Sequence, residues 1–214
     1  PGEAAAAHAL LGRLLAGDEP AAAAEHLRQA GPRGDDMLAV LQVVEEEDDP
    51  ARRDLLLGAA FLQRNELALA RRHLARAVDR DPACAEAHAY LAHCLDLLGE
   101  TVAAGRHLER ALALQPDLAL AHYFLGDHHL RLGRVDAAKE ALWQALRRDP
   151  DNAAFCVAMA EAFAREPDYA LAEEWYRAAA EVEPEDAHFQ LLLARFYVDH
   201  VYRVEEAGVA AAEA

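Results

Sequence analysis

Large apolar, small apolar and polar residues recur along this chain in a block that repeats every 34 residues. Pro82, Pro116, Pro150 and Pro184 stand at that interval and define units 51–84, 85–118, 119–152 and 153–186. The eighth residue of each unit is small (Gly58, Ala92, Gly126, Ala160). So are the twentieth (Ala70, Ala104, Ala138, Ala172) and the twenty-seventh (Ala77, Ala111, Ala145, Ala179). Large apolar residues fill the seventh position (Leu57, Leu91, Leu125, Met159) and the twenty-fourth (Leu74, Leu108, Leu142, Tyr176). These columns predict two antiparallel helices per unit, A and B, which cross closely at the small residues. The turn between them reads Leu-Gly-Glu at 98–100 and Leu-Gly-Arg at 132–134, where glycine suits the left-handed conformation that closes a helix. Proline ends helix B because it lacks an amide hydrogen and clashes with the preceding turn. Asp-Pro and Pro-Asp pairs at 81–82, 116–117 and 149–151 are expected to supply the turn and the N-cap of the next helix.

The flanks follow the pattern loosely. Residues 4–16 and 20–30 predict a helix pair in which Leu11-Gly12 imitates an A helix and Pro20–Ala30 a B helix. A loop at Gly31–Gly34 and a helix over 35–47 follow, with the acidic run Glu45–Asp49 as an irregular joint. Asp186–His200 reads as a fifth A helix and Val204–Ala214 as a shortened B helix or cap. The expected organisation is therefore N-terminal helices over 1–50, four regular units over 51–186, and a partial fifth repeat over 187–214.

The columns resemble the tetratricopeptide repeat, with its large–x–x–Leu–Gly–x–x–Tyr start, Ala–x–x–x–Phe middle and terminal proline. The resemblance is strong over 51–186. It implies an all-α, right-handed α–α superhelix of tandem helix-turn-helix units, in which one unit cannot bury its apolar face alone and must stack. The large residue usual at position four is replaced by Asp54, His88, His122 and Cys156.

Composition narrows the partners. Alanine inflates the hydrophobic share to 54% while aromatics are 7%, a mix that suits closely packed helices. A net charge of −17 disfavours nucleic acid and anionic lipid as partners. No apolar run reaches the roughly 18 residues of a membrane span, so membrane insertion is not expected. Cys84, Cys94 and Cys156 are odd in number and lack CxxC spacing, which argues against a disulfide framework and for a reducing, cytoplasmic setting. A leader preceding Pro1 would make the periplasm the expected compartment instead. The Ala/Arg/Leu-heavy composition leans towards a bacterial source.

Eleven histidines raise the question of a metal, but no HExxH or Cys–His zinc spacing occurs. His88 and His122 share a register and are expected to be partly buried structural residues. There is no serine, the one threonine is Thr101, and no phosphate-cradling glycine loop occurs. The chain is accordingly expected to be non-catalytic and to need no cofactor or metal.

In the resembled family the A helices line the concave face, at positions 2, 5, 6, 9, 12 and 13. Carried onto this sequence, the resemblance implies a peptide-binding groove built around Tyr90, His93, Tyr123, Phe124, Asp127, Arg131, Glu161, Arg165 and Arg195. Arg52, Leu55, Leu56, Gln63, Leu192 and Asp199 belong to the same set. Tyr90 and Phe124 are the expected anchors, with packing between A helices as the competing role. The Lys/Asn clamp by which co-chaperones of this family hold a terminal carboxylate is missing, since position six carries Leu56, Tyr90, Phe124, Ala158 and Leu192. The function expected is that of a scaffold or adaptor, of an assembly or secretion-chaperone kind, binding a protein or peptide. The alternatives are a self-assembling module forming a homo-oligomer and an accessory repeat domain of a larger enzyme.

Overall fold

A computed structural model describes residues 2–201. They form twelve α-helices and no strand, in two compact units that divide between Pro116 and Asp117. The predicted residues 204–214 lie outside the described residues.

The first unit holds seven helices. Helices α1 (Gly2–Leu15) and α2 (Pro20–Ala30) form a hairpin, and a short 3-10 turn (Gly31–Arg33) leads to α3 (Asp35–Glu45). Two regular hairpins follow: α4 (Pro50–Gln63) with α5 (Leu67–Arg80), and α6 (Ala85–Leu97) with α7 (Thr101–Leu114). Helix α3 packs against both α2 and α4. The second unit repeats the hairpin in α8 (Ala119–Arg131) with α9 (Val135–Leu146), and in α10 (Ala153–Arg165) with α11 (Tyr169–Val182). Helix α12 (Ala187–Phe196) packs on α11 and passes into a π-helical turn, Tyr197–Val201. The expected fifth A helix, Asp186–His200, thus changes from α-helical to π-helical geometry after Phe196.

The small columns are the crossing points. Ala70, Ala104, Ala138 and Ala172 have no exposed surface. A Cβ on Gly58 would sit 2.5 Å from Leu74 Cγ, and one on Gly126 would sit 2.6 Å from Leu142 Cγ, so position eight faces position twenty-four. The same relation recurs at the N-terminus, where a Cβ on Gly12 would lie 2.5 Å from Leu27 Cγ. Residue 27 follows residue 12 by one residue fewer than Leu74 follows Gly58, so α1 and α2 are the same hairpin with a shorter turn. At position fifteen, Asn65, Gly99 and Gly133 take φ values of 57°, 81° and 70°, the left-handed closure expected of the turn.

The capping expectation needs correction at α6, α8 and α10, since none of the three caps is an aspartate of the predicted pairs and α10 is capped by Asn152. Asp49 accepts from the Ala51 amide, Asn152 from Phe155, Asp168 from Leu171 and Asp186 from His188. At α6 and α8 the cap positions are Cys84 and Leu118, and neither side chain accepts a hydrogen bond. Asp81 instead accepts from the Ala83 amide at 3.0 Å and shapes the turn, while Asp117 pairs with Arg148 at 3.1 Å. Those aspartates sit three and one residues ahead of the helix entry, on the turn, so they serve the turn and leave the entry to backbone geometry.

Candidate partner-binding face

Position-two residues Arg52 and Glu86, on the neighbouring A helices α4 and α6, form an ion pair at 2.7 Å. Tyr90 is half-buried on α6; burial raises its phenol above the ordinary value, Glu86 adds to the effect and Arg52 opposes it. His93, one turn on, is also half-buried. Leu55 is buried, whereas Leu56 and Gln63 join Val40, Val43 and Ala59 around an apolar hollow of about 230 Å³ between α3 and α4. The first unit therefore offers an apolar strip on its A-helix side, extended by α3, which the repeat pattern did not include.

In the second unit Tyr123 stacks on Phe155 with centroids 4.9 Å apart and lies 5.2 Å from Phe124. Burial, then Asp127 and Glu161, pushes the Tyr123 phenol up to about 12. Phe124 is only 5% exposed, so it acts in this structure as part of the wall and not as an open anchor. Arg131 donates to Asp127 at 2.9 Å, and Arg165 donates to the Leu130 carbonyl at 3.1 Å. Glu161 and Arg195 line an open cavity of about 260 Å³ between α10, α11, α12 and the π-helical turn, which adds Asp199 and His200. Tyr176, Leu192 and Phe196 give it an apolar floor, and Asp199, 3.4 Å from Arg195, closes the rim. Burial, with Glu161 adding, pushes the Tyr176 phenol up to about 12. Sequence reasoning missed Tyr176 and Phe196 as site residues. The available signal was Tyr176 itself, which replaces the leucine of column twenty-four.

A second polar system lies inside the hairpins and joins position four to position twenty-three. Asp54 and His73 meet at 2.7 Å, and His88 and His107 at 2.9 Å. His8 and His26 meet at 3.0 Å in the shortened N-terminal hairpin. Asp54 is buried and is also held by Arg76 at 3.4 Å and by Arg80. His88 Nε2 faces the Pro82 carbonyl at 3.2 Å; a carbonyl only accepts, so Nε2 carries the proton and Nδ1 accepts from His107. His88 is thus the structural histidine expected of it, and His122 is half-buried. Among the described residues no group of three or more His, Cys, Asp or Glu is placed to hold a metal ion. Cys94 and Cys156 are buried, and burial pushes the Cys94 thiol up to about 11, away from the thiolate that nucleophilic chemistry needs.

Stacked helical hairpins with an A-helix face of mixed apolar and charged residues define a repeat scaffold of the protein-interaction class. The profile of the tetratricopeptide-repeat family matches residues 55–119, 103–153 and 123–181, and the chain belongs to that family. Among solved structures it is similar to TTC0263, a thermophilic tetratricopeptide-repeat protein of Thermus thermophilus. That likeness has 22% identity and a TM-score of 0.66, and covers 91% of this chain and 100% of the other. It is similar also to MamA, at 25% identity and a TM-score of 0.51, over 70% of this chain and 88% of the other. A MamA fragment from Desulfovibrio magneticus aligns with a TM-score of 0.53 at 19% identity, covering 86% and 98%. No curated protein matches the chain in sequence. No described helix is long and apolar enough to cross a membrane.

Proposed function

We propose that the chain is an adaptor that holds a partner polypeptide along the A-helix faces of its repeats. The observation that carries this reading is the open cavity at Glu161 and Arg195, which joins an apolar aromatic floor to a charged rim. That combination suits a side chain presented by an extended or helical segment. Tyr90, His93 and the hollow at Leu56 give the first unit a surface of a similar kind. Selection of peptides from a random display library on the immobilised chain tests it. Sequences enriched on wild type should be lost with Leu192→Ala and retained with Trp143→Ala, which alters an exposed B-helix residue. Equal enrichment on both variants, or none on wild type, would refute the reading.

Self-association is the second reading, favoured by one observation. Helix α1 exposes Leu10, Leu11 and Leu14 at 53%, 42% and 41%, an unpartnered apolar stripe at helical spacing. Light scattering of the purified chain should then show a defined oligomer that Leu10→Gln with Leu14→Gln returns to monomer. A wild-type monomer at all concentrations excludes it.

A further inference from the structure

Six charged side chains occupy positions nine and thirteen of the A helices in the second unit: Asp127, Arg131, Glu161, Arg165, Arg195 and Asp199. Five of them have a partner of their own. Arg131 donates to Asp127, Arg165 donates to the Leu130 carbonyl, and Arg195 lies beside Asp199. Glu161 is the exception: among the described residues it has neither a hydrogen bond nor an ion pair. It lines the cavity together with Tyr176, Leu192 and Phe196.

We infer that this cavity is a subsite for a lysine or arginine side chain of the partner polypeptide, with the aliphatic stem against Tyr176, Leu192 and Phe196 and the cationic head on Glu161. The inference rests on the partner-binding reading above and adds the chemistry of one anchor. Long basic side chains pair an apolar stem with a charged tip, and the cavity lining brings apolar side chains and a carboxylate together. Aromatic faces add attraction for a cation that passes them. Glu161 is exposed, so its carboxylate is open to a ligand. Lost hydration raises its carboxyl above the ordinary value, Asp127 raises it further, and Arg165 and Arg131 only partly offset this. A ligand cation would act on it in the direction of Arg165 and Arg131, favouring the charged carboxylate. Arg195 does not occupy the role, because it lies on the rim beside Asp199 and makes no bond to Glu161. The chain's net charge of −17 favours the approach of a basic segment over an acidic one.

The test uses the full chain and three blocked nonapeptides of alternating alanine and leucine that differ at the centre: lysine, norleucine or glutamate. Binding is followed by methyl and aromatic resonances of Leu192, Tyr176 and Phe196. The lysine peptide should shift these resonances and bind at least tenfold more tightly than the norleucine peptide. Glu161→Gln, an isosteric change at an accessible position, should remove that preference while leaving the melting midpoint unchanged. Raising the salt from 50 to 500 mM should weaken the lysine peptide alone. If norleucine and lysine peptides bind alike at this cavity, or Glu161→Gln keeps the preference, the basic subsite is overturned while polypeptide binding stands. If no peptide shifts any resonance of the A-helix residues, both readings fall together.

Discussion

Ala138 has no exposed surface, and the backbone of Gly126 approaches Leu142 so closely that a Cβ would lie 2.6 Å from Leu142 Cγ. At such a crossing the side chain's size sets the distance between helices, so added volume has nowhere to go. Ala138→Leu is expected to destabilise the chain by about 1–3 kcal/mol in denaturant melting; an unchanged midpoint would contradict the register. Residues of one chemical type separate by burial in the same way. Phe124 is 5% exposed, whereas Tyr90 is half-buried. Phe124→Ala should therefore cost about 3–5 kcal/mol, and Tyr90→Ala clearly less in the same melting experiment. Equal losses would place Tyr90 in the core as well. The aromatic content of position six was legible in the sequence. Which ring stays accessible was not, because that depends on neighbours such as Tyr123 that lie on other faces of the helix.

Each regular hairpin of the first unit is stapled by a polar pair linking helix A to helix B, Asp54–His73 and His88–His107. In the second unit the equivalent partners are His122 with Ala141 and Cys156 with Trp175. Burial holds both His88 and His107 below the ordinary histidine value of about 6.5. Arg110 acts in the same direction on His88 and Arg106 on His107, while Asp81 and the Pro82 carbonyl oppose at His88. With the folded value lowered, the unfolded chain binds more protons as pH falls through that range. The contribution to stability is complete above the unfolded value and is lost below it. The thermal midpoint should therefore fall from pH 8 to pH 5.5, and fall by several degrees less in His88→Leu with His107→Leu, at about 2–4 °C per kcal/mol for a chain this size. The same fall in both proteins would remove the pair from the account. Hairpin formation was fully legible, because glycine, proline and alanine columns act locally on the backbone. The staples were half legible: position four was marked as unusual, but its partner at position twenty-three lies on the facing helix, and only packing brings the two together. The caps at α6 and α8 misled for a related reason, since aspartate beside proline serves the turn as readily as the helix that follows.

Along the sequence the 34-residue register runs from α4 to α12, and the α1–α2 hairpin, a variant with a shorter turn, is set apart from it by α3. The family was evident from columns alone because a stacked repeat reuses one solution to burying an apolar face. The binding face was less evident. Positions nine and thirteen were assigned by resemblance, and five of the six charged residues there in the second unit turn out to be engaged within the chain. Tyr176 and Phe196, which line the cavity, come from a B helix and from the end of an A helix, outside the groove positions that the resemblance implies. The central claim is that a polypeptide is held on the A-helix faces. Hydrogen–deuterium exchange of the full chain, free and saturated with a peptide selected for binding, tests it most directly. The account predicts added protection in α10 and α12, with α9 and α11 unchanged on their exposed turns. Protection confined to α9 and α11 would place the partner on the opposite side and contradict it.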